Sequence, residues 1–269
     1  MNKITILTLA VALCASPLFA GKPDKQIHEK CLYPTVMLFG PNVNAAGTGV
    51  IIKSVKQKDD TYLNLVATCA HIIKKTPAEF EPQEENKLPK MIKPPRYEYL
   101  VAVGKYKDWS RLVGADNYQC TVHAVDEAKD VALLTFVSKD QLYVAELDFH
   151  PKLYISNKIC HIGCGMGDPF RLDFGRITAL DGGIGELPEM KNTYRTSIPT
   201  IPGDSGGPVF HKYKLIGITQ AVRTIQTGPI SQVPIFHMSY VIPLSRHAGS
   251  EVVRKYLKSV EDFKDLIQD

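Results

Sequence analysis

The sequence predicts an all-β protein: two six-stranded antiparallel β-barrels followed by a C-terminal α-helix. Three observations carry that prediction. Apolar, β-branched and aromatic runs recur along the chain, separated by Gly, Pro, Asn and Asp, with no helical segments alternating between them. The runs fall into two groups of six, joined by a polar connection near 138–150. One amphipathic helical pattern begins at Ser250. With 44% hydrophobic and 22% charged residues in 269, the chain has the makeup of a globular protein, not a disordered or collagen-like one. The net charge of +4 is scattered along the chain, which argues against a nucleic-acid partner.

The elements follow in chain order. Lys3 precedes an apolar run from Ile4 to Ala15, and Leu18 and Ala20 sit three and one residues before a cleavage point at Gly21. Residues 1–20 therefore read as a signal peptide cut near Ala20, which predicts a secreted or periplasmic protein. An uncleaved anchor, or lipid attachment at Cys14, are the competing readings. The run is shorter than the roughly 20 residues a bilayer crossing needs, so no stable membrane insertion is expected. Strands are predicted near 33–40, 47–53, 61–70, 97–104, 118–124 and 131–137, giving a first barrel over about 30–137. A second set near 158–163, 173–180, 193–198, 208–211, 214–221 and 235–242 gives a second barrel over about 150–245. Within the first barrel, residues 74–96 carry five prolines and ten charges with no apolar period, and read as an exposed loop. From 250 to 269, Val253, Tyr256, Leu257, Val260, Phe263 and Ile267 recur at helical spacing, the mark of a helix docked on the body.

The most specific string is Pro202-Gly203-Asp204-Ser205-Gly206-Gly207-Pro208. A hydroxyl attacking an acyl carbon needs backbone N–H donors aimed at the oxyanion it creates, and glycines flanking the serine permit such a turn. A serine also needs a base to take its proton. His71, at the end of the strand Ala67-Thr68-Cys69-Ala70-His71, has the setting for this. His28, His123, His150, His161, His211, His237 and His247 do not. A carboxylate must orient that base, and Asp130 leads into the apolar run Val131-Ala132-Leu133-Leu134, unlike its neighbours Asp116 and Asp126.

Gly-Asp-Ser-Gly-Gly-Pro resembles the nucleophile motif of the trypsin-like (chymotrypsin-fold) serine peptidases, and the chain order His, Asp, Ser is that family's. Gly47-Thr48-Gly49-Val50, Ile162-Gly163-Cys164-Gly165 with Gly175-Arg176-Ile177-Thr178, Leu215-Ile216-Gly217-Ile218-Thr219 and Tyr240-Val241-Ile242-Pro243 extend the likeness. It is nearest to bacterial HtrA-type catalytic domains, here without PDZ domains. The resemblance implies a peptidase domain over 21–249. His71, Asp130 and Ser205 would be its triad, and the N–H groups of Gly203 and Ser205 its oxyanion hole. It further implies a substrate pocket lined by Thr200, Ile201, Gln220, Ala221, Val222, Met238 and Ser239. None of these is acidic, which disfavours a substrate Lys or Arg and points to small or aliphatic residues before the scissile bond. Asp204 stands where trypsin-like zymogens bind a new amino terminus, yet no Arg-Ile-Val-Gly-Gly site is present. A backbone amide or a nearby cation is therefore expected to hold it.

No cofactor and no metal are expected. Cys160, His161 and Cys164 give three donors where structural zinc takes four. Disulfides are possible between Cys160 and Cys164 or Cys31 and Cys120, and sequence does not choose. The expected partner is a protein or peptide substrate, with oligomeric state open. A non-catalytic binding or adhesion protein that keeps this fold with a latent site is the alternative.

Overall fold

The computed structural model describes residues 24–40, 45–76, 79–81, 90–93, 96–168, 170–182, 192–226, 232–244 and 251–266. Residues 1–20, predicted above as a signal peptide, lie outside them. The chain enters through a short helical turn, α1 (Lys25–Ile27), capped by the Asp24 carboxylate, which accepts the Gln26 and Ile27 N–H groups. A π-helical turn over His28–Leu32 continues it.

The first lobe is a seven-stranded antiparallel sheet in the order β7-β6-β1-β2-β3-β9-β8. Its strands are β1 (Thr35–Phe39), β2 (Ala45–Lys56), β3 (Tyr62–Thr68), β6 (Leu100–Lys107), β7 (Arg111–Gln119), β8 (Thr121–Asp126) and β9 (Val131–Ser138). That is one strand more than the sequence predicts. The additional strand, β7, is exposed along most of its length and has no buried face, so it leaves no apolar alternation to read. Strand β9 shows the opposite extreme: Val131–Phe136 is buried on both faces and reads as a continuous apolar run. Within 74–96, the described residues form a two-stranded hairpin, β4 (Glu79–Glu81) with β5 (Lys90–Lys93).

The second lobe closes into the expected six-stranded barrel, β10-β11-β12-β15-β14-β13. Its strands are β10 (Lys158–Gly163), β11 (Arg171–Ala179), β12 (Tyr194–Thr196), β13 (Pro208–His211), β14 (Lys214–Gln226) and β15 (Gln232–Pro243). Each lobe has its own apolar interior, Val36, Leu38, Val66 and Leu134 in the first and Ile177, Ile198, Ile216 and Val241 in the second. A third cluster runs between them, joining Val50, Leu65 and Leu133 to Ile162, Phe210 and Ile218. Helix α2 (Glu251–Ser259) and the 3₁₀ turn Glu261–Leu266 bury Leu257 and Phe263 in this shared cluster. Tyr256 stacks on His123 of β8, ring centroids 4.7 Å apart. Ile267 lies outside the described residues.

Cys31, Cys69, Cys120, Cys160 and Cys164 are all buried free thiols, so neither expected disulfide is formed. The thiols that face each other are Cys31 and Cys160: their hydrogen bond and their burial push the Cys31 thiol well up. Among the described residues, no helix is long and apolar enough to cross a membrane.

Candidate active site

Strand register brings His71 and Asp130 together. β3 pairs with β9 so that Thr68 faces Ala132. The chain then turns through the 3₁₀ helix Ala70–Ile72, which carries His71, while Asp130 stands just before β9. The His71 ring Nδ1 lies 2.8 Å from Asp130 Oδ2 and 3.0 Å from Oδ1, and the His71 backbone N–H donates to Oδ1 at 2.8 Å. A carboxylate only accepts, so Nδ1 carries the ring proton and Nε2 keeps its lone pair. Asp130 adopts φ +54°, a left-handed conformation that Asp tolerates better than most side chains. Its carboxylate is buried while the His71 ring is half exposed.

The Ser205 turn is pressed against the first lobe. Thr48 of β2 donates its backbone N–H to Ser205 O at 2.9 Å and its hydroxyl to Gly203 O at 2.8 Å. Gly206, at φ +81°, packs where a Cβ would stand 2.1 Å from Thr48 O and 2.3 Å from Thr68 Oγ1. No other residue fits that contact, and it sets Ser205 beside the strand end that carries His71. The Ser205 hydroxyl donates to the Gln220 carbonyl at 3.3 Å and makes no hydrogen bond to His71 among the described residues.

The peptide groups around Ser205 are oriented one by one. Pro202 O accepts from the Met166 N–H at 2.6 Å, and Asp204 O accepts from the Gly207 N–H at 2.9 Å. In a trans peptide the N–H points away from its carbonyl, so the N–H groups of Gly203 and Ser205 are turned to the opposite side. Neither has an acceptor among the described residues. Two free donors on one turn, next to a hydroxyl, can stabilise a developing oxyanion.

Asp204 underpins this turn from below. It is fully buried, and Oδ2 accepts from the Ile201 N–H at 2.8 Å and from Arg171 Nη2 at 3.0 Å. Arg171 is held in turn by Asp173, at 2.6 Å from its Nε, and by Pro199 O. Burial lifts the Asp204 carboxyl above its ordinary range, against the opposing pull of the Ile201 N–H and the Arg171 charge. Gly163 leaves the room: a Cβ there would lie 2.3 Å from Asp204 Oδ1. Both holders expected from the sequence, an amide and a cation, are thus present. Arg171 lies in none of the motifs named above. The signal that could have found it is a buried Asp with no new amino terminus to pair with.

The predicted pocket residues are placed as follows. Thr200 is buried, and Ile201 packs against Gly165. Gln220 offers its carbonyl to Ser205, and its side-chain Oε1 is buried without a partner among the described residues. Ser239 is fully buried, its hydroxyl 2.6 Å from that of Thr196. Ala221 and Val222 stand opposite Tyr240 and Ser239 across β14 and β15; their side chains and that of Met238 lie outside the described residues. A cleft of about 580 Å³ opens beside His71, lined by Ala70, Lys74, Glu127, Asp130 and Gln220 among others.

Comparison with known proteins follows the same lines. The trypsin-like peptidase domain family matches residues 47–218. The fold is similar to that of the serine endoprotease from Yersinia pestis, at 15% identity and TM-score 0.55, covering 89% of this chain and 66% of that one. It is similar also to the HtrA-type protease AlgW with tripeptide, at 17% identity and TM-score 0.58, covering 83% of this chain and 60% of that one. The chain thus spans less than two thirds of the length of either structure. No curated protein sequence matches it. The family match covers more than half of the chain and takes in His71, Asp130 and Ser205: this chain belongs to the family of trypsin-like peptidase domains.

Proposed function

We propose that this chain is an exported serine endopeptidase that cleaves protein or peptide substrates through an acyl-enzyme. The observation that carries the reading is the His71–Asp130 pair at 2.8 Å, set beside a Ser205 turn with two unaccepted N–H groups. Ser205 Oγ attacks the scissile carbonyl, and His71 Nε2 takes the hydroxyl proton and passes it to the leaving amine. Asp130 fixes the Nδ1–H tautomer and stabilises the imidazolium. The Gly203 and Ser205 N–H groups receive the oxyanion. Residues 1–20 export the chain and are cut near Ala20.

Labelling with a fluorophosphonate, read by mass spectrometry, is the test. The adduct is expected on Ser205 of the folded protein, and Ser205→Ala is expected to lower turnover by about 10⁶-fold while leaving the fold intact. An adduct elsewhere, or none on folded wild-type protein, overturns the assignment.

One observation favours a second reading, a binding protein with a latent site: the Ser205 hydroxyl points to Gln220 O instead of His71. The same labelling distinguishes the two readings, because a latent site does not react.

A further inference from the structure

Cys69 lies beneath the pair just described. Its side chain is fully buried, and its thiol donates to Thr219 O at 3.2 Å and lies against the Asp130 carboxylate. One ligand atom each from Cys69, His71 and Asp130 falls within 4.8 Å of the other two. From this geometry we propose that Cys69, His71 and Asp130 form a site for a thiophilic divalent cation, Zn²⁺ above all, and that occupancy switches the peptidase off.

The donor set decides the class of ion. A thiolate, an imidazole and a carboxylate suit zinc and its soft relatives and are poor ligands for Mg²⁺ or Ca²⁺, which take oxygen shells. Zinc bond lengths of about 2.0–2.3 Å put the ligands of a tetrahedral ion about 3.3–3.6 Å apart. The His71–Asp130 contact at 2.8 Å would open by about half an ångström, and the thiol, within 4.8 Å of the other two ligand atoms, would close by at most about 1.5 Å. Water completes the shell from the cleft that His71 and Asp130 already line. A thiolate and a carboxylate together cancel the charge of the ion, so a neutral assembly is buried.

The step balances with one proton released. The Cys69 S–H bond breaks, its proton goes to solvent, and a zinc–thiolate bond forms. The ring proton moves from Nδ1 to Nε2, so Nδ1 can ligate and His71 stays neutral. With Nε2 protonated, the ring no longer accepts the Ser205 proton. This inhibitory consequence rests on the proposed role of His71 as base; the metal site itself does not.

Two measurements on chelator-stripped full chain test the proposal. Co²⁺ titration should give a thiolate-to-cobalt charge-transfer band with the intense visible bands of a tetrahedral ion. Both should vanish in Cys69→Ser and in His71→Gln, whether or not the protein cleaves anything. In the peptide-cleavage assay, each protein normalised to its own metal-free rate, Zn²⁺ should inhibit wild type, and the half-inhibitory concentration should rise at least tenfold in Cys69→Ser. Absence of the bands in wild type, or their persistence in Cys69→Ser, overturns the site. Inhibition undiminished in Cys69→Ser overturns its role in switching. Should Cys69→Ser fail to fold, the wild-type and His71→Gln spectra decide. Cobalt bands on a protein that does not cleave would retain the metal site and reject only the peptidase reading.

Discussion

Removing the Arg171 guanidinium leaves the Asp204 carboxylate buried with a single backbone donor. Arg171→Ala should therefore lower kcat/KM by about 10²-fold, the effect of losing one oxyanion donor, and slow Ser205 labelling in parallel. Arg171→Lys should recover part of both. Wild type starting at Gly21 should label without treatment by trypsin, because its cation is built in. A trypsin requirement, or full activity in Arg171→Ala, would contradict this. His71, Asp130 and Ser205 could be proposed from the sequence because each sits in a short string whose chemistry is local. Arg171 was not, since its charge meets Asp204 only when β11 pairs with β10 and Gly163 clears the space. His161, nearby on β10, is fully buried, its ring set against the Asp204 backbone. Burial, then the Arg171 charge, lowers its pKa from an ordinary 6.5 to about 3. The unfolded chain takes up that proton below about pH 6.5 and the folded chain only near 3, so stability is present above this window and lost as pH falls through it. The loss is on the order of 5 kcal/mol. His161→Leu should flatten that part of a urea-denaturation pH profile, and an unchanged slope would show that the acid sensitivity lies elsewhere.

At the level of elements, the C-terminal segment is a structural closure over the first lobe. Leu257 and Phe263 complete the shared core, and Lys53 pairs with Asp265 at its far end. Phe263→Ala should cost about 3–4 kcal/mol, read as a lower denaturation midpoint, with Ser205 labelling of the remaining folded fraction intact. A loss of labelling without a loss of stability would assign this segment to the site instead. The helical period over 250–269 predicted the docking face, but not the break after Ser259, where a 3₁₀ turn takes over. Strand β7 escaped for a related reason: pairing with β6 forms it, not an apolar face of its own. The hairpin of β4 and β5 lies in a stretch whose prolines and charges hide its strands.

Across the whole molecule, the division into two lobes was the most legible feature, because each supplies its own set of β-branched runs. The count in the first lobe was not, since it depends on β7. Substrate choice belongs to this scale too, because the predicted pocket residues come from segments between β12 and β15. None of Thr200, Ile201, Gln220, Ala221, Val222, Met238 and Ser239 is acidic, so a buried substrate cation would stand unpaired. Profiling with a peptide library should show small or aliphatic residues, such as Ala or Val, before the scissile bond; a dominant Arg or Lys would reject the pocket. The bonds from Thr48 to the carbonyls of Gly203 and Ser205 reach further than geometry. Thr48 belongs to the first lobe and Ser205 to the second, so the bonds that hold this turn exist only when both lobes are in place. On the proposed reading, a half-made or half-unfolded chain would lack this assembled turn and would cleave nothing, however complete its second lobe.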